Sequence, residues 1–470
     1  MAVTKRRMKV KSNYSFPARS KRIVFLLLPT RLSVFLFRRF IDDNRERNSL
    51  EAAKFLESAC LLYGSEYYFS PRYLRFCLNL ADSKLPTSFT KLLFSSLMQV
   101  RKDPALRKVI CEELCTATRK LNTPQCSAQS WKFVSLALTG FGFIRAGTVA
   151  RNNCIEVAIF EESKGIASVR TINLAVRGLL ETRRFSEAEV LIEKHAEHQF
   201  LNQTNHLIYL SMLQEKTRRT TTFFNGDYEK DEFFSKVVRG KEVALVATGE
   251  ILTHTGSDID SHETVARVKF QGDAIMPEER LAGSRCDTTF YTEDLINKFE
   301  KKAKEDAASL SFLERVKILV SKESTLTKVG TYPIRLLSWR APTFLTTATS
   351  GTLFLYEILC FNPKKIKLFG FDFYTKRSLY NSSLLKHYET KNALSDIGLP
   401  KKWFKYSSKR KTSAIIAGGF INHDPKSDFL LIKNLYELSG LIDGTPEVLA
   451  LLNLTADEYD LKLEEMLGDW

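Results

Sequence analysis

From about residue 46 to residue 220, apolar side chains return every three or four positions and glycine and proline are sparse. That spacing lays one face of an α-helix against a core. Ala52, Ala53, Phe55, Leu56, Ala59 and Leu62 form one such stripe; Leu92, Leu93, Leu97 and Val100 form another. The pattern breaks over 216–235, where Thr220-Thr-Thr-Phe-Phe-Asn-Gly226-Asp reads as a linker. Beyond it the period changes. Val243–Ala247 is a short, continuous apolar run closed by Thr248-Gly249, as expected of a parallel strand buried on both faces. Val265–Phe270, Thr288–Tyr291, Val316–Val320 and Ile366–Phe373 are further strand candidates, with helical patterns such as Glu293–Ala307 and Gly351–Cys360 between them. Strands alternating with helices predict a doubly wound α/β domain, whose ligands bind beyond the carboxyl ends of the strands.

Three regions follow: 1–45, an all-helical 46–220, and an α/β region 236–470. Within the helical region, the run from Ile172 to Lys194 resembles one helix–turn–helix unit of the tetratricopeptide type. No clean repeat of roughly 34 residues surrounds it, so it is read as a helical hairpin.

The net charge of +16 suggests nucleic acid until its distribution is examined. Residues 1–40 hold eleven Lys or Arg and no acid, leaving +5 for the other 430 residues. Such an arm fits an anionic surface, phospholipid or nucleic acid. Its apolar stretch is split by Pro29 and Arg31 into runs too short to span a bilayer, which takes about 20 apolar residues, and it lacks a small-residue cleavage site. It reads either as a segment lying in the membrane interface or as a helix packed on the protein's own core. The eight cysteines include no CxxC pair, and Cys111 and Cys115 stand at helical i,i+4 spacing. This suits a reducing compartment and gives no metal-ligand pattern.

Four segments of the α/β region carry chemistry. The first is Val243–Gly249 followed by Ile259-Asp260-Ser-His and the strand through Arg267 to Lys269. The second is Cys286-Asp-Thr-Thr-Phe-Tyr291. The third is Thr349-Ser350-Gly351 entering an apolar helix, then the strand ending in Gly370-Phe-Asp372-Phe-Tyr374, with Tyr380 six residues on. A Ser-Gly at a helix start offers backbone N–H groups, a hydroxyl and the positive dipole end, all suited to a carboxylate; the alternative is an N-cap Ser. The fourth is Asn422-His423-Asp424-Pro-Lys-Ser-Asp428, opening an amphipathic helix whose N-terminus disfavours imidazolium.

In order and chemistry these segments resemble the sialyltransferases, both the animal type and the bacterial lipooligosaccharide type, over about half the chain. The resemblance implies a Rossmann-like, GT-A-like domain. It further implies an inverting, metal-independent transfer of an acidic sugar from a CMP-sugar to a glycan or glycolipid hydroxyl. On it, His423 is the general base and Tyr374 and Tyr380 donate to the leaving phosphate. Thr248, Gly249, Lys269, Ser350, Gly351, Asp372 and His387 (in His387-Tyr388-Glu389) contact the donor. Two asparagines usual in the family are replaced by Thr248 and Lys269, which keeps CMP-Kdo open beside CMP-sialic acid. The run 401–411, with six cations and three aromatics, is either a basic lid suited to an anionic acceptor or a solvated loop. No metal or other cofactor is expected. The expected partners are donor, acceptor, an anionic membrane surface through residues 1–40 and a protein at the helical region, without nucleic acid. That places the chain in the cytoplasm, peripheral on the inner face of the membrane, in capsule or lipooligosaccharide synthesis. A reading of another class is a helical interaction protein with a catalytically impaired C-terminal domain.

Overall fold

The computed structural model describes residues 87–121, 126–140, 142–197, 203–213, 228–272, 278–305, 307–322, 326–337, 341–345, 347–376 and 423–468. The basic arm, the first helical stripe, Tyr380, His387 and the run 401–411 lie outside them. Among the described residues eight strands form the sheet: β1 (Glu242–Val246), β2 (Thr264–Val268), β3 (Thr288–Tyr291), β4 (Ile318–Ser321), β5 (Lys328–Val329), β6 (Tyr332–Leu336), β7 (Lys365–Phe369) and β8 (Ile442–Gly444). Their order is β5-β6-β4-β3-β2-β1-β7-β8, and every neighbouring pair is parallel except the β5–β6 hairpin. The protein is therefore mixed α/β, with a mostly parallel sheet compatible with a Rossmann-like fold.

The strands follow the expected positions except where local chemistry intervenes. β7 stops at Phe369, short of Phe373, because Gly370 takes φ +66° and turns the chain. β5, β6 and β8 carry Lys328, Pro333, Arg335 and Asp443 and have no continuous apolar run.

The helices are α1 (Thr87–Lys102), α2 (Arg107–Lys120), α3 (Ala128–Gly140), α4 (Ile144–Ser163), α5 (Val169–Glu181), α6 (Phe185–Lys194), α7 (Gln203–Leu213), α8 (Tyr228–Val238), α9 (Gly256–Ser261), α10 (Glu279–Ala282), α11 (Glu293–Glu305), α12 (Ser350–Leu359), α13 (Pro425–Ser439), α14 (Pro446–Leu452) and α15 (Ala456–Gly468). From Tyr228 onward the segment read as a linker is helical. Asp231 of α8 is buried and pairs at 2.7 Å with Arg335, which also pairs with Glu357 and lies between the rings of Phe234 and Phe361.

Successive strand residues point to opposite faces. Val243 and Leu245 of β1 join a core shared with α12, α13 and the N-terminal helices, while Ala244 and Val246 face the smaller core under α9 and α10. The larger core is continuous from Phe89 to Met466. Cys111 and Cys115 are both buried in it.

Polar contacts join the N-terminal helices to the C-terminal ones. Arg145 Nε and Cys111 Sγ both reach Glu464 of α15, at 2.7 and 2.8 Å, and Thr148 donates to Asp460 at 2.7 Å. Arg151 of α4, 3% exposed, pairs with Glu181 of α5 and with both oxygens of Asp424 at 3.0 and 2.9 Å, and donates to Ser427 at 2.6 Å. No helix among the described residues is long and apolar enough to cross a membrane.

Arg151→Met leaves Glu181 and Asp424 buried together without a cation, which costs on the order of 3–5 kcal/mol. The urea midpoint should fall accordingly, and adding Glu181→Gln and Asp424→Asn should recover most of the loss. A triple variant no more stable than Arg151→Met would refute the uncompensated-charge account.

Candidate functional site

The strand order reverses between β1 and β7: β2, β3 and β4 continue to one side of β1, while β7 and β8 lie on the other. Crevices at such a point, beyond the strand carboxyl ends, are the ligand sites of open α/β sheets. Here the loop after β1 carries Thr248 and Gly249, and the loop after β7 carries Asp372 and Tyr374. The two loops touch, Gly249 N–H donating to the Gly370 carbonyl at 3.1 Å. A Cβ on Gly249 would stand 2.3 Å from that carbonyl oxygen and 3.1 Å from Asp372 Oδ2. The close approach that demands glycine is thus to the neighbouring loop of the protein itself. Phe373 and Tyr374, at φ +48° and +63°, both lie in the left-handed region, a conformation costing roughly 1–2 kcal/mol per residue. The turn is held by Asp372, which accepts from Tyr374 N–H at 3.1 Å, and by Tyr459 Oη, which donates to the Phe373 carbonyl at 2.7 Å.

α12 runs back across the sheet, so its N-terminus meets these loops. A Cβ on Gly351 would stand 3.1 Å from the Phe371 ring and 4.0 Å from Ala247 Cβ. The cap is Thr349, whose side chain accepts from Thr352 N–H; Ser350 is the first helical residue and its hydroxyl is spared that task.

The loop leading into α12 is gripped by the start of α13. Phe344 N–H donates to Ser427 Oγ at 2.9 Å, Leu345 N–H to Asp424 Oδ2 at 2.8 Å and Thr349 N–H to Asp428 Oδ2 at 3.0 Å. His423 forms a parallel bridge with Thr347. The third and fourth segments are therefore one mechanical unit, and the spacing of Asp424, Ser427 and Asp428 along one helical face is what engages three backbone N–H groups.

His423 is partly buried. Its Nδ1 lies 3.3 Å from the Thr347 carbonyl oxygen, so Nδ1–H donates and Nε2 keeps its lone pair. Burial, then the charges of Lys269 and Lys322, push it down to about 4, against the opposing hydrogen bond to Thr347. Burial, and not the helix dipole alone, keeps it neutral. Lys269 follows β2 and takes φ +58°, a conformation asparagine adopts more readily than lysine.

Two carboxyls are displaced the other way. Burial pushes Asp372 up to about 6, opposed by Tyr374 N–H and Lys376. Asp372 Oδ2 has no hydrogen-bond partner among the described residues. Burial pushes Asp428 up to about 7 despite its bonds to Thr349.

The structure thus gathers Thr248, Gly249, Lys269, Ser350, Gly351, Asp372, Tyr374 and His423 at one edge of the sheet. Tyr380 and His387 lie outside the described residues. Other motif residues are committed elsewhere. Asp260 accepts from Ser284 and Arg285 N–H at 2.8 and 3.0 Å, and buried Arg267 donates to the Ala282 and Arg285 carbonyls, both at 2.6 Å. They fasten the β2–β3 connection. Thr347, Lys322 and Tyr459 belong to the edge too, although no pattern in the sequence marks them. Among the described residues no group of His, Cys, Asp or Glu has an arrangement able to hold a metal ion. No protein-family model matches the chain, and no curated protein matches it.

A carboxyl raised in the folded state contributes stability below its unfolded pKa and loses it as pH rises through the folded value. Asp428→Asn, which keeps an acceptor for Thr349 N–H, should therefore match the native chain only below about pH 4, the unfolded carboxyl's range. By pH 8 it should exceed it by roughly 2–4 kcal/mol. Thermal denaturation across that range measures the gap, and a gap that does not widen between pH 6 and 8 contradicts a protonated Asp428.

Proposed function

We propose that the chain is an inverting glycosyltransferase of the sialyltransferase type, its sheet a GT-A-like variant of the Rossmann-like arrangement. It transfers an acidic sugar from a CMP-sugar to a hydroxyl of a glycan or glycolipid. The observation that carries the reading is the convergence of residues from three of the four segments (Thr248, Gly249 and Lys269; Ser350, Gly351, Asp372 and Tyr374; His423) on the carboxyl ends of the strands where the strand order reverses. A nucleotide beyond β1 and β7 meets the α12 N-terminus, where the Ser350 hydroxyl and the first N–H groups suit the donor's carboxylate. Tyr374, with Tyr380, supplies hydroxyls to the departing phosphate. His423 Nε2 takes the proton of the acceptor hydroxyl as that oxygen attacks the anomeric carbon and the C–O bond to CMP breaks. No step calls on a metal.

A second donor, CMP-Kdo, is favoured by Lys269, which puts a cation in a left-handed conformation where the family carries asparagine. The tetratricopeptide-like helical region would bind acceptor or a protein partner. Residues 1–40 would hold the chain on an anionic inner membrane surface, consistent with capsule or lipooligosaccharide synthesis.

Hydrolysis of CMP-sialic acid and CMP-Kdo by the full chain tests the proposal. Turnover with one of them should fall by about 10²–10⁴-fold in His423→Ala, with a smaller change in KM. Absence of turnover with both donors, in the native chain and the variant alike, would leave the interaction-protein reading in its place.

A further inference from the structure

The helical region contains a group of cations that the transferase reading does not use. On α5, Arg170, Arg177 and Glu181 follow one another at helical spacing on one face, and α5 packs against both α3 and α7. Lys132 projects from α3 and His206 from α7. Glu181 is already engaged by Arg151. Among the described residues no carboxylate pairs with Lys132, Arg170 or Arg177. Asp424 lies near enough to favour the Lys132 cation, but Arg151, Leu345 N–H and Ser427 occupy its oxygens.

Arg177 Nε is buried with no hydrogen-bond partner among the described residues, and so are both ring nitrogens of His206, a residue that is 0% exposed. Burial, then the Arg177 charge, pushes Lys132 down to about 8 and His206 down to about 3. Burial alone pushes Arg177 down to about 10. Buried donors without acceptors, beside cations without counter-charge, mark a place where an anion or ordered water completes the hydrogen bonding. Water satisfies donors but not charge.

We propose that Lys132, Arg170, Arg177 and His206 form a binding site for a phosphoryl group on the helical region. Three cations exceed what a single carboxylate needs and match a phosphate dianion, whose oxygens the two guanidinium forks engage in pairs. His206 stays neutral and supplies one ring N–H. The site does not depend on the transferase reading. It has its own elements, α3, α5 and α7.

Inorganic pyrophosphate is the probe, added to the full chain at constant ionic strength against chloride. The melting temperature should rise saturably. Arg170→Gln, at an exposed position that leaves folding intact, should weaken the half-saturating concentration at least tenfold, and Lys132→Gln likewise. His423→Ala should keep the response, which separates this site from the proposed donor site. Phosphatidic acid in phosphatidylcholine vesicles identifies the source: competition with pyrophosphate assigns the phosphoryl group to a lipid, and its lack to a soluble compound. The proposal is overturned by no saturable rise in the native chain. It is equally overturned if Arg170→Gln and Lys132→Gln respond as the native chain does, or if the response disappears only with His423→Ala.

Discussion

The buried Arg151 network is the constraint on which the rest of the arrangement depends. One guanidinium from α4 binds Glu181 of α5 and Asp424 and Ser427 at the start of α13, drawing residues more than 270 positions apart into a single hydrogen-bonded group. Such a group stabilises little relative to a well-packed apolar alternative, since desolvating three charges offsets their attraction. Its effect is geometric. An apolar contact between α4 and α13 would tolerate a shift of a few tenths of an ångström; a planar fork bound to two carboxylates does not. The Phe344 ring against the guanidinium, 4.7 Å from its centre, closes the remaining side.

From that fixed point the geometry passes to the sheet edge in short steps. Asp424 both caps α13 and accepts from Leu345 N–H; Ser427 and Asp428 take two more N–H groups from the same loop. The loop enters α12, and the α12 N-terminus meets the turn after β7. Tyr459 of α15 ties that turn to Pro425, donating to the carbonyls of Phe373 and Pro425 at 2.7 and 3.2 Å, and stacks on Phe429 with ring centres 4.1 Å apart. The helical region is thus structurally part of what holds His423, although no residue in it bears a catalytic pattern.

This division explains what could be read from the chain alone. β1 to β4 and β7 were legible because strands buried on both faces leave uninterrupted apolar runs, and β3 matches its expected limits. β6 was hidden because Arg335 sits in its centre, a charge that looks external until Asp231 and Glu357 are seen around it. α8 was hidden for the same reason, its buried Asp231 resembling a solvated acid. At the edge of the sheet the individual residues were legible but not their tasks. Gly249 serves a contact with Gly370 that only the β1–β7 pairing creates. The cap that was the alternative reading of Ser350 belongs to Thr349, and the motif's Asp260 and Arg267 hold a loop. Each of these roles depends on a partner distant in sequence, which periodicity and spacing do not encode.

The basicity of His423 poses a question that the surrounding charges answer on the proposed reading. A base near 4 is neutral at ordinary pH, yet it takes a proton weakly, because proton-transfer driving force falls with pKa. Burial and the cations Lys269 and Lys322 set that value in the protein by itself. Under the proposed function a CMP-sugar would bring a phosphate and a carboxylate to this edge, and their negative charge would oppose the two lysines and displace water from the imidazole. The negative charge would favour imidazolium. Under the proposed transferase function, donor binding would therefore strengthen the base, and proton abstraction would become favourable only with a sugar to transfer. Asparagine at position 269 would remove one of the charges that lower His423, so under the proposed function Lys269 would couple donor occupancy to the strength of the base.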